Sequence, residues 1–462
     1  MTTKQSSRRF SSLAVASAAE LMFGRAPQPV TCGHGLAVGA GEVYPEINFT
    51  LPTMLLEEST WPAVLEQYRE IGEMIVRASR RLHLPGLMVE FELLPQMTEH
   101  PAWGAEITRL LSDFLSEAHE RFGLRSALRV TPTDLRDLSR PPVLRSGEAW
   151  ECMRASFASC AAAGAHVLSI ESIGGKEVHD EAMMYGDVAG VIFALGVLAP
   201  RDMAFLWQEI TAVCDGHGLL AGGDSACGFA NTAMQLAGQG MLPEVFAAVI
   251  RAASAVRSLV AFECGARGPS KDCAYEGPVL KAITGAPIAM EGKSACCAHF
   301  SPVGNVAAAM CDLWSNESVQ NIRLLSGNAP EAFLELLAYD CRLCNQALAS
   351  GHELVYRNLL EQSDVALSPQ ALVLSAESTW QIAAAIVKAP DAYQRTVAAA
   401  RTASDLIRAA VRGQRLKLSA AEASWLDRIA HALDALPEHE DNLIGVMMDK
   451  YGHLLHRASY AL

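Results

Sequence analysis

The sequence predicts an α/β chain built on a (β/α)8 TIM barrel, with an N-terminal extension and a C-terminal helical segment. Three observations carry this. Strand-like and helix-like segments alternate from residue 86 to residue 325, seven strands being visible, and such alternation builds a parallel sheet. No G-x-G-x-x-G or G-x-x-x-x-G-K-[ST] occurs, so an open nucleotide-binding sheet has no motif support. The 462 residues accommodate a barrel of about 250 residues with additions at both ends. The expected divisions are 1–85, 86–330 and 331–462.

Residues 31–53 are punctuated by Gly and Pro and read as loop with short strands, Glu46 and Asn48 alternating with Ile47 and Phe49. Trp61 to His83 has apolar residues at helical spacing: Val64, Tyr68, Ile71, Ile75, Ala78 and Leu82. The strands expected next are Gly86–Leu94, Leu124–Thr131, Ala165–Ser172, Gly218–Gly222, Leu259–Cys264, Ala286–Glu291 and Asn321–Leu325. An eighth comes from the early segment or from a weakly patterned stretch. Between the strands lie helices over Trp103–Phe122, Gly147–Gly164, Tyr185–Leu198, Arg201–His217, Asn231–Gly240, Pro243–Arg257, Tyr275–Thr284 and Pro302–Trp314, with Pro200 separating two of them. From about 330 the pattern is helical, with Ala-rich amphipathic stretches at Glu331–Ala349, Ser368–Val387, Asp391–Val411 and Ala420–Leu436.

Half of the residues are hydrophobic and 19% charged, a globular composition. A formal charge of −14 argues against nucleic acid or an anionic membrane as partner. No apolar run reaches the roughly 18 residues that span a bilayer, and the short, weakly apolar Leu13–Ala19 is not expected to act as a secretory leader. Twelve cysteines scattered through apolar segments suit a reduced cytoplasm, most of them acting as small hydrophobes.

Three stretches have the form of a buried strand ending in a reactive group. Ala165–Gly175 delivers Glu171, His217–Asn231 delivers Cys227 after a glycine pair, and Ser258–Glu276 delivers Cys273. Strand ends converge on one face of a barrel, and three protein ligands with one open position is the arrangement of catalytic zinc. The spacing alone does not single these residues out, because a cysteine is more often core than ligand. The conspicuous Cys341-Arg-Leu-Cys344 lies inside a helical stretch and follows no strand, so packing is expected of it. Cys296 and Cys297, with His299, offer a fourth ligand or a supporting group. No G-x-S-x-G is present, and no nucleophile is paired with a base.

Taken together, several runs resemble the zinc-dependent methanol:corrinoid methyltransferases, in their methanol-activating subunit. They are S-L-A at 12–14, L-M-F-G at 21–24, G-x-V-Y-P-E-I-N-F-T-L-P at 41–52, I-E-S-I-G-G-K-E at 170–177, G-G-D-S-A-C-G-F-A-N-T-A-M at 222–234, K-D-C-A-Y-E-G-P-V-L-K-A-I-T-G at 271–285, M-E-G-K-S-A-C-C-A-H-F-S-P-V-G-N at 290–305 and D-L-W-S-N-E-S-V-Q-N at 312–321. The resemblance implies a (β/α)8 barrel holding one zinc per chain through Glu171, Cys227 and Cys273, with Cys264, Cys296 and Cys297 as neighbours of the third ligand. It implies methanol as substrate and a separate corrinoid protein whose Co(I) takes the methyl group. Asp224, Asp272 and Glu46 are the candidate proton donors to the departing oxygen. Asp215-Gly-His217-Gly is similar to the cobalt-ligating D-x-H-x-x-G of corrinoid carriers, but Leu220 stands where Gly is needed, so the chain is not expected to carry its own corrinoid. A homodimer in the cytoplasm, docking one corrinoid protein per chain, completes the expectation. The alternatives are another small methyl donor on the same barrel, or a zinc-stabilised scaffold subunit without catalysis.

Overall fold

The computed structural model describes residues 8–50, 54–271, 273–293, 301–319, 323–324 and 327–462. An antiparallel hairpin, β1 (Arg25–Cys32) and β2 (Leu36–Ala40), comes first. Seven parallel strands follow: β3 (Tyr44–Thr50), β4 (Gly86–Glu92), β5 (Arg125–Thr131), β6 (Val167–Ile170), β7 (Leu220–Asp224), β8 (Ala289–Glu291) and β9 (Leu313–Val319). Their order is β7-β6-β5-β4-β3-β9-β8. The two open edges, β7 and β8, are joined through residues 267–270. The Arg267 and Gly268 amides donate to Ala221 O on β7, at 2.8 and 3.2 Å, and Ser270 bridges Ile288 next to β8. This irregular segment takes the remaining strand position and closes the (β/α)8 barrel.

Four expectations are corrected here. Leu259–Cys264 is no strand: a single buried helix, Glu244–Glu263, runs through it. A short unbroken apolar run reads alike in a buried strand and a buried helix, and the glycines that mark the real strand position come later, at Gly265 and Gly268. The helix expected over Pro302–Trp314 is confined to Gly304–Ala308, because the last barrel strand already starts at Leu313. Of the strand expected at Asn321–Leu325 only Arg323–Leu324 lies within the described residues, and it is a strand, paired in a two-residue hairpin with Gly327–Asn328. Pro200 separates nothing: Val188–Phe193, a π-turn Ala194–Leu198 and Ala199–His217 run on as one helix, the widened π-turn just before Pro200 accommodating a residue that has no N–H to donate. The barrel's first strand and helix, Tyr44–Thr50 and Trp61–Arg81, lie before residue 86.

Alternation along the strands explains the interior. Ile47, Phe49, Val89, Phe91, Leu128 and Val130 face the helices and join the main core. The opposite phase, Glu46, Asn48, Glu90, Arg129 and Ser169, is buried within the barrel. Gly222 belongs to that layer: a Cβ there would stand 2.5 Å from Ser169 Oγ and 3.0 Å from Arg129 Nη1. The floor is apolar. Cys32, Leu36 and Val38 of the hairpin pack on Tyr44, Met88 and Ala127 at the strand starts, plugging the amino end.

Helices after residue 329 wrap the barrel. Ala392–Arg412 lies along Glu244–Glu263, its buried Ala399, Ala400, Ala403 and Ala410 allowing close approach. Two helices, Val188–His217 and Glu244–Glu263, are long and apolar enough to cross a membrane, but 78% and 100% of their apolar windows are buried inside this fold.

Candidate metal centre

Glu171 follows β6, Cys227 opens the π-turn Cys227–Asn231 after β7, and Cys273 follows the closing segment 267–270. All three therefore stand at carboxyl ends of neighbouring strand positions. Their ligand atoms lie within 4.8 Å of one another, and this is the one such group of three or more among the described residues. The Cys273 thiol donates to Glu171 Oε1 at 2.8 Å. Cys273 is buried, while the Glu171 side chain keeps 32% of its surface exposed, so one side of the cluster is open. The bond with Cys273 pulls the Cys227 thiol down, but burial and the Glu171 and Glu291 charges outweigh it and leave the thiol raised to about 12. Burial, then pairing with Cys227 and the Glu171 charge, pushes Cys273 well above the ordinary thiol range. A divalent cation held by Glu171, Cys227 and Cys273 would remove that conflict, because it would favour both thiolates and the carboxylate together.

The surroundings aim the donors. Asn231 Nδ2 donates to Cys227 Sγ at 3.7 Å, and Ser225 Oγ lies 3.3 Å from Cys273 Sγ while accepting from Ala274 N at 3.2 Å. Glu276, fully buried, accepts from Ala226 N and Ser258 Oγ, each at 2.8 Å, and so fixes the turn before Cys227. Asp224 accepts from Ser172 N at 3.2 Å, Trp207 Nε1 at 3.0 Å and Arg257 Nη2 at 3.1 Å.

Of the three candidate acids, Asp224 thus lies buried behind the Glu171 loop with both oxygens engaged. Glu46 sits deeper in the barrel, its Oε1 2.7 Å from Arg129 Nε. Asp272, Cys296, Cys297 and His299 lie outside the described residues. Cys264 terminates the Glu244–Glu263 helix, its thiol pushed up to about 11 by burial, and is not part of the cluster. Cys341 and Cys344 point into the core from Ala329–Ser350, Cys344 pushed up to about 12 by burial. Asp215 and His217 end the helix that enters β7, at the opposite end of the barrel from the cluster.

Sequence reasoning missed a lysine. Lys271 is buried with its Nζ 2.7 Å from Glu90 Oε1, 2.7 Å from Glu92 Oε1 and 3.8 Å from Glu171 Oε1. Burial works against the Glu90 charge, but Lys271 and Arg129 outweigh it and hold that carboxylate below its usual range. The signal was present in G-L-M-V-E-F-E, where Glu90 and Glu92 share the inward phase with Met88.

Fold and site together define a closed α/β barrel with a Glu-Cys-Cys donor set at the carboxyl ends of its strands. The chain belongs to the methanol-cobalamin methyltransferase B subunit family, whose profile matches residues 7–460. It is 37% identical over 448 residues, 96% of either chain, to the methanol--corrinoid protein co-methyltransferase of Methanosarcina barkeri (strain Fusaro / DSM 804). It also superposes, with a TM-score of 0.94 and 35% identity, on a solved structure of the methanol:cobalamin methyltransferase complex MtaBC from Methanosarcina barkeri, covering 98% of this chain and 100% of that one. The chain is accordingly an enzyme, a methyltransferase.

Proposed function

We propose that this chain takes the methyl group of methanol, activated on one zinc ion held by Glu171, Cys227 and Cys273, and passes it to Co(I) of a separate corrinoid protein. The observation that carries the reading is the convergence of those three donors, with one side open, in a chain of this family. Two thiolates and a carboxylate suit zinc as a borderline-soft cation. When bound, zinc supplies a Lewis acid to the alcohol oxygen, stabilising the charge that grows there as the C–O bond breaks. Cobalt provides the electron pair of the new Co–C bond and rises from Co(I) to Co(III); the oxygen takes up a proton and leaves as water.

The chain's own residues orient the donors and set the local charge. Asn231 and Ser225 support the two sulfurs, Asp224 and Glu276 fix the loops behind them, and Lys271 offsets the acids below Glu171. With their oxygens committed inside the protein, Asp224 and Glu46 serve this reading as structural groups, and Asp272, the residue before Cys273 in the sequence, remains the acid candidate.

The corrinoid protein covers the mouth, so that cobalt meets the methyl carbon in line with the breaking bond. Leu55 after β3 and Leu138 after β5, each more than 60% exposed on mouth loops, offer it apolar contact. A second apolar face suits a homodimer: Leu336, Tyr339 and Leu343 lie along Ala329–Ser350, beside Leu354, Val355 and Leu359 of Glu353–Asp364. All ten described cysteines are free, which suits the cytoplasm. The test is anaerobic transfer from methanol and from other small methyl donors to free Co(I) cobalamin. Preference for methanol supports the reading; preference for another donor moves the chain to the alternative substrate; zinc binding without any transfer makes it a scaffold.

A further inference from the structure

The loop that carries Glu171 is held at every residue that follows it. The Ser172 amide donates to Asp224 Oδ1 at 3.2 Å, and the Ile173 amide to Asp134 Oδ2 at 3.1 Å. Gly174 packs so tightly on Asp202 that a Cβ would stand 2.3 Å from its Oδ2. These carboxylates are themselves clamped. Buried Arg136 bonds both Asp134 and Asp202 at 2.7–2.8 Å, and buried Arg257 bonds Asp224 and the Ser172 hydroxyl.

The last hold is of another kind. The Gly175 amide donates at 2.9 Å to the hydroxyl of Tyr460, a residue 285 positions away. Tyr460 is 3% exposed and sits in the short turn Arg457–Tyr460. The same turn takes the Leu144 amide on Ser459 Oγ at 3.2 Å, so it stitches the loop after β5 to the loop after β6. Gly175 has little room to move: its φ is +87°, and a Cβ would meet Ala194 O at 3.0 Å.

We propose that Tyr460 is a positioning residue for Glu171. Its hydroxyl closes a row of fixed points, and that row sets where the Glu171 carboxylate stands against Cys227 and Cys273. The inference rests on the metal reading above. Metal sites depend on such outer contacts because ligand distances tolerate only about 0.2 Å, and losing an outer partner typically weakens metal binding about 10- to 100-fold.

The test uses full-length, metal-free, reduced protein titrated anaerobically with Co(II), whose thiolate charge-transfer and ligand-field bands report the donors directly, with zinc affinity then read by chelator competition. Tyr460→Phe removes one oxygen and leaves the ring packed. It is expected to bind both metals about tenfold more weakly, with shifted ligand-field bands. Ser459→Ala loosens the same turn without touching the hydroxyl and is expected to bind as the wild type does. A Tyr460→Phe protein with wild-type affinity and spectrum overturns the proposal, and so does a Ser459→Ala protein weakened to the same degree. Hydrogen exchange in the wild type gives an independent measure: metal binding should slow exchange at Gly175, and an amide indifferent to metal overturns the strut. A wild type that binds no Co(II) overturns the metal reading itself, and the strut with it.

Discussion

Glu46→Gln separates a structural from a proton-donating role for a carboxylate that the sequence alone places among the candidate acids. In the structure, Glu46 and Arg129 are both fully buried, their Oε1 and Nε 2.7 Å apart. Arg129 also donates to Ser169 Oγ and to Pro269 O, each at 2.9 Å, tying β5 to β6 and to the closing segment 267–270. The amide keeps the shape and one acceptor but removes the charge, taking from buried Arg129 the carboxylate it is bonded to. Breaking a buried pair from one side costs about 3 to 5 kcal/mol, and the retained acceptor places this case at about 3 kcal/mol. Against a total stability of about 5–15 kcal/mol, that is a large fraction. Urea unfolding of the metal-free protein, followed by tryptophan fluorescence, reads it. The double variant Glu46→Gln with Arg129→Met should recover part of the loss, because the cation goes together with the carboxylate it was bonded to. A Glu46→Gln protein as stable as the wild type but defective in methyl transfer would refute this reasoning and return Glu46 to the chemistry.

Cys227→Ala is expected to reduce the metal content from about one ion per chain to almost none while circular dichroism stays native, since a catalytic site needs all three ligands; a full metal complement would show that the wrong thiol had been chosen. Replacing Cys341 and Cys344 together with Ala should leave metal content and transfer near wild type and lower the unfolding midpoint slightly, and metal loss would contradict their place in the core. Light scattering tests the proposed homodimer: the wild type is expected to be a dimer and Leu343→Glu with Tyr339→Glu a monomer, while a monomeric wild type contradicts the dimer and a double variant that stays dimeric contradicts this interface. His166 accepts from the Leu128 amide at 3.0 Å, and burial, with His34 beside it, pushes its pKa from 6.5 down to about 4. Because the folded state holds this proton less readily than the unfolded chain, its contribution is present above pH 6.5 and is lost as pH falls toward 4. His166→Asn should therefore flatten that part of the stability profile, and an unchanged slope would show that the ring does not titrate there.

The parts of this fold legible in the sequence were those where burial on one face imposed a period. The helices at 101–122 and 392–412 and the strands at 86–92 and 125–131 keep clean alternations. The barrel's closing position was not legible, because Arg267–Ser270 makes its bonds without a strand-length pattern, while the apolar residues before it belong to a helix buried all round. Glu171, Cys227 and Cys273 could be named as candidate donors through the family resemblance of the runs that hold them; their place just past a buried strand or its substitute agreed with that but did not by itself separate them from core cysteines. The residues that support them could not be named. Lys271, Arg257, Asp134 and Tyr460 meet only when distant segments fold together, and no local period announces a buried charge whose partner lies elsewhere in the chain.

The most direct measurement of the central claim is methyl transfer from methanol to Co(I) cobalamin by the same preparation in three states: as purified, stripped of metal by a chelator, and reconstituted with one equivalent of zinc. Loss of the methyl–cobalt absorbance change on stripping and its return with zinc are expected, with Cys273→Ala unresponsive to reconstitution. Transfer at an undiminished rate by the stripped protein would contradict the account.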